Sequence, residues 1–192
     1  MPRATAADAA ATGRRVLDAA LHHFAAHGYS RTSLDAVART AGVTRGAVYH
    51  HYNGKPALFA AAAQRLHAQV GDAVAAAADA AGPSPRDQLA AGSHAFLDAI
   101  TADGAARVLL TDGPAALGWA AWRALDEAHS GTHLREALAA AGVGPDLCGA
   151  LAVQLSGAMN DAALWLSERP GDAAARTAAH RALDRLLAAA LA

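Results

Sequence analysis

Cysteine is almost absent from this chain: Cys148 stands alone, which excludes an internal disulfide. Bulky apolar residues are scarce too, because alanine supplies more than half of the 54% hydrophobic content. There is no alternating run of Val, Ile, Thr and Tyr. No hairpin dipeptide separates apolar runs either, since Asn53-Gly54 leads into Lys55-Pro56 and a helical pattern. The N-terminus lacks the bulky apolar stretch of a secretory signal. The longest apolar runs are alanine broken by Asp, Gln, Arg and His, so no membrane span is expected and the cytoplasm is the default compartment. No Ser/His/Asp or Cys/His set has supporting context, and no glycine-rich loop follows a strand. The chain is therefore read as a non-enzyme with no cofactor and no metal. His129 and His133 stand four apart near Asp126 and Glu127, a spacing a metal can use, but Ser130-Gly131-Thr132 between them reads as a loop.

What remains is helix. Alanine is the strongest helix former, and the few prolines fall where helices start or stop. The expected class is all-α, with an N-terminal helix-turn-helix domain over residues 1–54 and a larger helical domain over 55–192. Residues 1–12, with Pro2 and Arg3, read as a loose arm. A first helix is expected from about Arg14 to His27, stopped by Gly28. A fourth begins at Gly54-Lys55-Pro56 and continues to about Ala80, where Gly82-Pro83-Ser84-Pro85 ends it. Further helices are expected over roughly 85–102, 105–111, 115–128, 132–141, 145–168 and 172–191. Charge is divided as sharply as sequence. Residues 1–70 carry eight Lys/Arg against three Asp/Glu, a balance of +5; residues 71–192 carry eight against fourteen, a balance of −6. A basic front and an acidic back suit a protein whose front alone meets a polyanion.

The front also contains the most informative stretch, Thr32–Lys55. Leu34, Val37, Ala38 and Ala41 recur at helical spacing; Ala41-Gly42-Val43 forms a tight turn; Thr44 then caps a second short helix. That is the layout of a helix-turn-helix, whose second helix enters the DNA major groove. Helix N-termini at Thr32 and Ser33, at Thr44, and at Gly54 and Lys55 offer N–H groups to phosphates. Asp35, three residues after Thr32, suggests a short capping box in which Thr32 is the cap. Arg45, in the first turn of the reading helix, is placed to pair with guanine O6 and N7, and Gly46 permits close approach to the groove floor. Tyr49, His50 and Lys55 are expected on phosphates. Tyr52 and Val48 read as core, and His51 is left undecided.

Gly28-Tyr29, Thr32-Ser33-Leu34, Val37-Ala38, Ala41-Gly42-Val43-Thr44-Arg45-Gly46, Val48-Tyr49-His50-His51-Tyr52 and Lys55-x-x-Leu58-Phe59 together resemble the N-terminal signature of TetR-type (tetracycline-repressor-like) regulators. The resemblance covers about residues 14–60. It departs in having Tyr52 where Phe is usual, Gly54 where Ser or Asn often caps, and Pro56 where Glu is common. It implies a homodimer on a pseudo-palindromic double-stranded DNA operator, with a C-terminal domain that binds a small-molecule effector. It also implies release from DNA when helix 4 shifts. A regulator of the same fold that activates, or that answers to a protein partner, is the alternative. A helical carrier or enzyme with a chance helix-turn-helix is the competing class.

Two C-terminal segments suit a four-helix dimer face: Leu147, Leu151, Leu155 and Ala158 in one, Leu183, Leu186 and Leu187 in the other. Burial within a single subunit is the other reading of those stripes. Trp119 and Trp122, three apart, are expected with His94, Phe96, Leu97, Ile100, Met159 and Asn160 around an effector cavity. Ordinary core packing weighs equally for the aromatics.

Overall fold

In the computed structural model, residues 6–192 are described, and among them there are helices and no strands. The first helix, α1, spans Ala6–Arg31, with a break inside it at Gly28. It begins well before the expected Arg14. The sequence Ala-Ala-Asp-Ala-Ala-Ala at its start has high helix propensity, and Asp8 sits in the first turn, where the dipole favours an acid. The expectation for Pro2 and Arg3 lies outside the described residues.

Two short helices and a long one follow. α2 is Leu34–Ala41, α3 is Arg45–His51, and α4 is Gly54–Ala80. Gly42 ends α2 in the left-handed conformation (φ 64°, ψ 38°), and its N–H bonds back to the last turn. Phe24, Val37, Val48, Leu58 and Phe59 are fully enclosed and form the N-terminal core with Val16, Leu34 and Ala62. The boundary expected at residue 54 therefore falls at the start of a helix whose first turns belong to that core. Phe24 and Tyr29 of α1 each meet Phe59 edge-on, with ring centres 5.0 Å apart. This geometry adds about 0.5–1.5 kcal/mol per pair beyond the area buried.

The second layer is built on α4 and α5, Pro85–Thr101, which run side by side. Ser84 caps α5 by accepting the Asp87 N–H. Three short helices, α6 (Gly113–Leu117), α7 (Trp119–Asp126) and α8 (Thr132–Ala140), lead to the long α9 (Pro145–Ser167) and α10 (Ala173–Ala190). The single helix expected over 115–128 is broken at Gly118, whose φ of 82° and ψ of 149° only glycine adopts readily. Two stretches, Arg107–Asp112 and Glu127–Gly131, are wound as π-helix. The loop expected at Ser130-Gly131-Thr132 is thus the end of a wide turn feeding directly into α8. Leu97, Ile100, Leu109, Leu138, Ala163, Leu183 and Leu187 fill the second core.

The two layers meet at the break in α1. Gly28 (φ 79°, ψ 169°) lets the chain turn so that the Tyr29 N–H donates to Asp112 Oδ2 at 2.8 Å. Arg107 donates to the Ala26 carbonyl at 2.9 Å. A cation therefore sits on the C-terminal carbonyls of α1, where the helix dipole favours it. Val108, between them, is buried in the N-terminal core. The π-wound segment is in this way a clamp on the end of α1.

Candidate nucleic-acid interface and effector cavity

The reading helix is fixed from below and open above. Val48 anchors α3 to the N-terminal core, whereas Thr44, Arg45, Gly46, Tyr49 and His50 are exposed. Thr44 Oγ1 accepts the Ala47 N–H at 3.2 Å, so the hydroxyl caps the helix and the remaining first-turn amides point outward. Arg45 reaches back to Asp35 on α2, with Nη1 2.9 Å from Oδ2, and its other amino group lies 3.4 Å from the Tyr49 hydroxyl. Bonding to Tyr49 and then the charge of Asp35 raise its pKa further, so it remains a cation. Both ion-pair partners are about half exposed, so solvent screens the pair and it adds little. Arg45 can leave Asp35 for a base edge at little cost.

Thr32 requires a correction. It is buried, and its hydroxyl donates to the Gly28 carbonyl at 2.8 Å and the His23 carbonyl at 3.1 Å. It closes the reversal that Gly28 starts and is not available to a phosphate. The cap of α2 is Ser33: it is exposed, its backbone is extended, and its hydroxyl accepts the Ala36 N–H. Lys55 is more occupied than its sequence suggests. Its Nζ donates to the Ser30 carbonyl at 3.2 Å and lies 4.4 Å from the Tyr29 ring centre. The ammonium thus ties α4 to the end of α1, with further donors to spare. Tyr52 is core-facing and donates to the Gly13 carbonyl at 3.1 Å; burial raises its pKa. His51 packs beside Gly13.

The residues expected around an effector cavity do not converge. Phe96 and Met159 do line a cavity of about 220 Å³, enclosed by α4, α5, α8 and α9. Trp122 is 7% exposed and donates its indole N–H to the Leu109 carbonyl at 2.7 Å; it is core. Trp119, on the same helix with its ring centre 4.9 Å from that of Trp122, is 66% exposed. Leu97 and Ile100 are buried in the second core. Asn160 lies away from the cavity, with its Oδ1 enclosed and unbonded. His94 is engaged elsewhere. Its Nδ1 faces Nδ1 of His180 at 2.7 Å and its Nε2 meets Asp184 at 2.7 Å, while His180 reaches Asp98 at 3.1 Å. This polar chain fastens α5 to α10.

Sequence reasoning missed most of the true lining. Gly71, Val74, Ala75 and Ala78 on α4 face Leu89, Gly92, Ser93 and Phe96 on α5. Both sets follow the spacing i, i+3, i+4, i+7, a signal masked by the small size of the residues. At Gly92 an added Cβ would come within 3.2 Å of Val74, so glycine sets how closely the two helices approach. Buried Asp126 faces Arg123 at 3.6 Å, and burial raises its pKa despite that partner. Among the described residues no three metal-ligating side chains converge. No helix there is long and apolar enough to cross a membrane.

The α9 and α10 stripes divide. Leu155, Leu183 and Leu187 are buried within the chain, whereas Leu147 and Leu186 are exposed and Leu151 and Ala158 are half-buried. The inward-facing three have no surface left for a partner. The exposed face between α9 and α10 carries Ala158, Ala162, Trp165, Ala178, Ala182 and Leu186.

Comparison with known proteins bears on both layers. Residues 16–62 match the family model described as bacterial regulatory proteins, tetR family, and residues 86–190 match that of the tetracyclin repressor-like C-terminal domain. The HTH-type transcriptional regulator SrpR of Pseudomonas putida is 56% identical over 68 residues, 35% of this chain and 32% of that protein. AcrR of Shigella flexneri is 40% identical over 72 residues, 38% of this chain and 34% of that protein. These matches thus span about a third of the relatives' lengths. A TetR-family transcriptional regulator from Pectobacterium atrosepticum superposes with a TM-score of 0.73 at 27% identity, covering 96% of each chain. One from Streptomyces coelicolor reaches 0.78 at 22% identity over 95% of this chain and 97% of that one, a likeness of fold.

Proposed function

Because the chain belongs to the TetR family of bacterial regulators, and is not an enzyme, we propose that it is a DNA-binding transcriptional repressor released by a small molecule. It binds a pseudo-palindromic operator in the cytoplasm as a homodimer. The observation that carries the reading is the exposed row Thr44, Arg45, Gly46, Tyr49 and His50 on a short helix held by Val48, in the basic half of the chain. Arg45 reads a base; Ser33, Tyr49, His50 and Lys55 hold phosphates and set register. Residue 1 to 70 positive charge draws DNA to this end, and the acidic remainder keeps the other end off it.

Release follows from α4. Its first turn holds Lys55 beside the reading head, and its residues 71–78 line the cavity, so one helix borders both sites. An effector that fits the cavity better in one setting of α4 than another shifts the population of reading heads. The proposed dimer face is the exposed strip of α9 and α10, with Ala158, Trp165 and Leu186 at its centre and Leu147 and Leu151 at its edge; Leu155, Leu183 and Leu187 support it from beneath.

Titration onto promoter DNA from beside its own gene, at several salt concentrations, tests the proposal. Affinity should fall with salt at a slope near −0.9 per phosphate contacted. Arg45→Ala should cost about 1–3 kcal/mol of discrimination at one base position per half-site. Lys55→Ala should flatten the slope by roughly one unit per subunit. Absent or salt-insensitive binding rules the reading out.

A further inference from the structure

The effector cavity has an unusual polar inventory. No Lys, Arg, Asp or Glu lines it among the described residues. Its polar members are Gln88, Ser93, His133 and Ser156. Gln88 gives its amide N–H to the Gly82 carbonyl at 2.6 Å. The His133 side chain is mostly in solvent and faces Glu136 at 3.7 Å. The two serines differ. Ser93 is 4% and Ser156 8% exposed, and neither hydroxyl has a hydrogen-bond partner among the described residues. Neither is sealed in the core, since the enclosed unbonded side-chain atoms are those of other residues. Both residues line the same cavity, and Ser156 also borders a smaller pocket with Arg123, Asp126 and Arg135.

Hydroxyls within helices can bond to the carbonyl three or four residues earlier. Thr101 and Thr177 do so, at 2.7 Å and 2.9 Å. Ser93 and Ser156 make no such bond, and the two residues line the cavity from different helices. A hydroxyl set in an otherwise apolar cavity is partly desolvated in the free protein and gains a partner only from what enters the cavity. The rest of the lining is Gly, Ala, Val, Leu, Phe and Met, and the volume is below that of a drug-sized site. A charged group here would be buried with no counter-ion, which is strongly unfavourable.

We propose that the cavity takes a small, uncharged, largely apolar molecule whose single hydroxyl or carbonyl group bonds to Ser93 and Ser156. This rests on the reading of the cavity as the effector site. It goes further by naming the chemical class, and by assigning the two serines as the specificity-determining pair.

The whole 192-residue chain, without DNA, is titrated calorimetrically with 1-naphthol and 1-octanol. The parent hydrocarbons, the carboxylates (1-naphthoate, octanoate) and the matching primary amines serve as comparisons. At least one alcohol is expected to bind, with its hydrocarbon roughly tenfold weaker and both charged congeners weaker still. Ser93→Ala and Ser156→Ala should each weaken the alcohol about three- to tenfold, leave the hydrocarbon unchanged, and raise the melting temperature of the ligand-free protein. That opposite movement is not produced by serines that merely pack. The proposal is overturned if no alcohol binds, if a charged congener binds as tightly, if the alcohol's advantage survives in the double variant, or if the alanine variants melt lower. Release from promoter DNA is measured separately: binding without release leaves the ligand class standing and removes only the effector role.

Discussion

Gly28→Ala is the sharpest test of how the reading head is joined to the rest of the chain. The backbone there, φ 79° and ψ 169°, lies in a region almost closed to residues with a Cβ, at a cost of about 1–3 kcal/mol. The new Cβ would also stand 3.2 Å from Asp112 Oδ2, the acceptor of the Tyr29 N–H. If Asp112 yields, that bond to a charged acceptor weakens, adding about 1–2 kcal/mol. The sum is about 2–5 kcal/mol, or roughly 5–15 °C in melting temperature for a chain of this size. Gly42→Ala is the control: Gly42 is also left-handed, with φ 64°, but a Cβ there meets nothing within 4 Å. It should cost only about 1–2 kcal/mol. Denaturant unfolding at fixed protein concentration, followed by tryptophan fluorescence, gives both values. In an Asp112→Ala background the Gly28→Ala cost should shrink toward the backbone component alone, a coupling of about 1 kcal/mol. Equal costs for the two glycines, or strict additivity with Asp112→Ala, would refute the clamp.

Other outcomes follow from the same geometry. Asp35→Ala frees Arg45 from its ion pair; general DNA affinity should rise and the salt slope steepen by about one unit per head in fluorescence anisotropy, with little change in stability. Asp126→Asn should raise the melting temperature at pH 7, because burial raises the carboxyl's folded-state pKa. Stability from such a group is fully present below its unfolded pKa and is lost as pH rises through the folded one, so the gain should vanish below about pH 4. Trp122→Phe removes the indole donor to the Leu109 carbonyl and should cost about 1–3 kcal/mol, whereas Trp119→Phe, on an exposed side chain, should stay within about 0.5 kcal/mol by the same denaturation.

The legible parts of the molecule were those with local chemistry. Gly42, Thr44 and the spacing of Leu34, Val37 and Ala41 fix α2, the turn and α3 without reference to anything distant. Thr32 and Ser33 could not be ranked locally, because both carry a hydroxyl. What decides is the reversal at Gly28, which draws Thr32 inward and leaves Ser33 to cap. Trp119 and Trp122 do share one face, with ring centres 4.9 Å apart; their spacing could not show that this face bonds to the Leu109 carbonyl and meets solvent rather than the cavity. Phe96 and Met159 were found in the cavity because they are large. The remainder was missed because glycine, alanine and serine make a cavity by what they leave unfilled.

The clamp has a consequence for interchange between proteins. Arg107 and Asp112 grip α1 only through main-chain atoms, the Ala26 carbonyl and the Tyr29 amide. Those two bonds read no side chain of α1; beyond them the joint asks for a core that accepts Val108, a small residue at 25 beside Gly104, a helix that ends and a glycine that turns. A reading head from another regulator, exchanged over α1 to α3 with its glycine kept at position 28, meets the same two side chains through the same main-chain atoms. New operators can then be acquired by exchange at one end of the chain while the ligand chemistry at the other end is left alone.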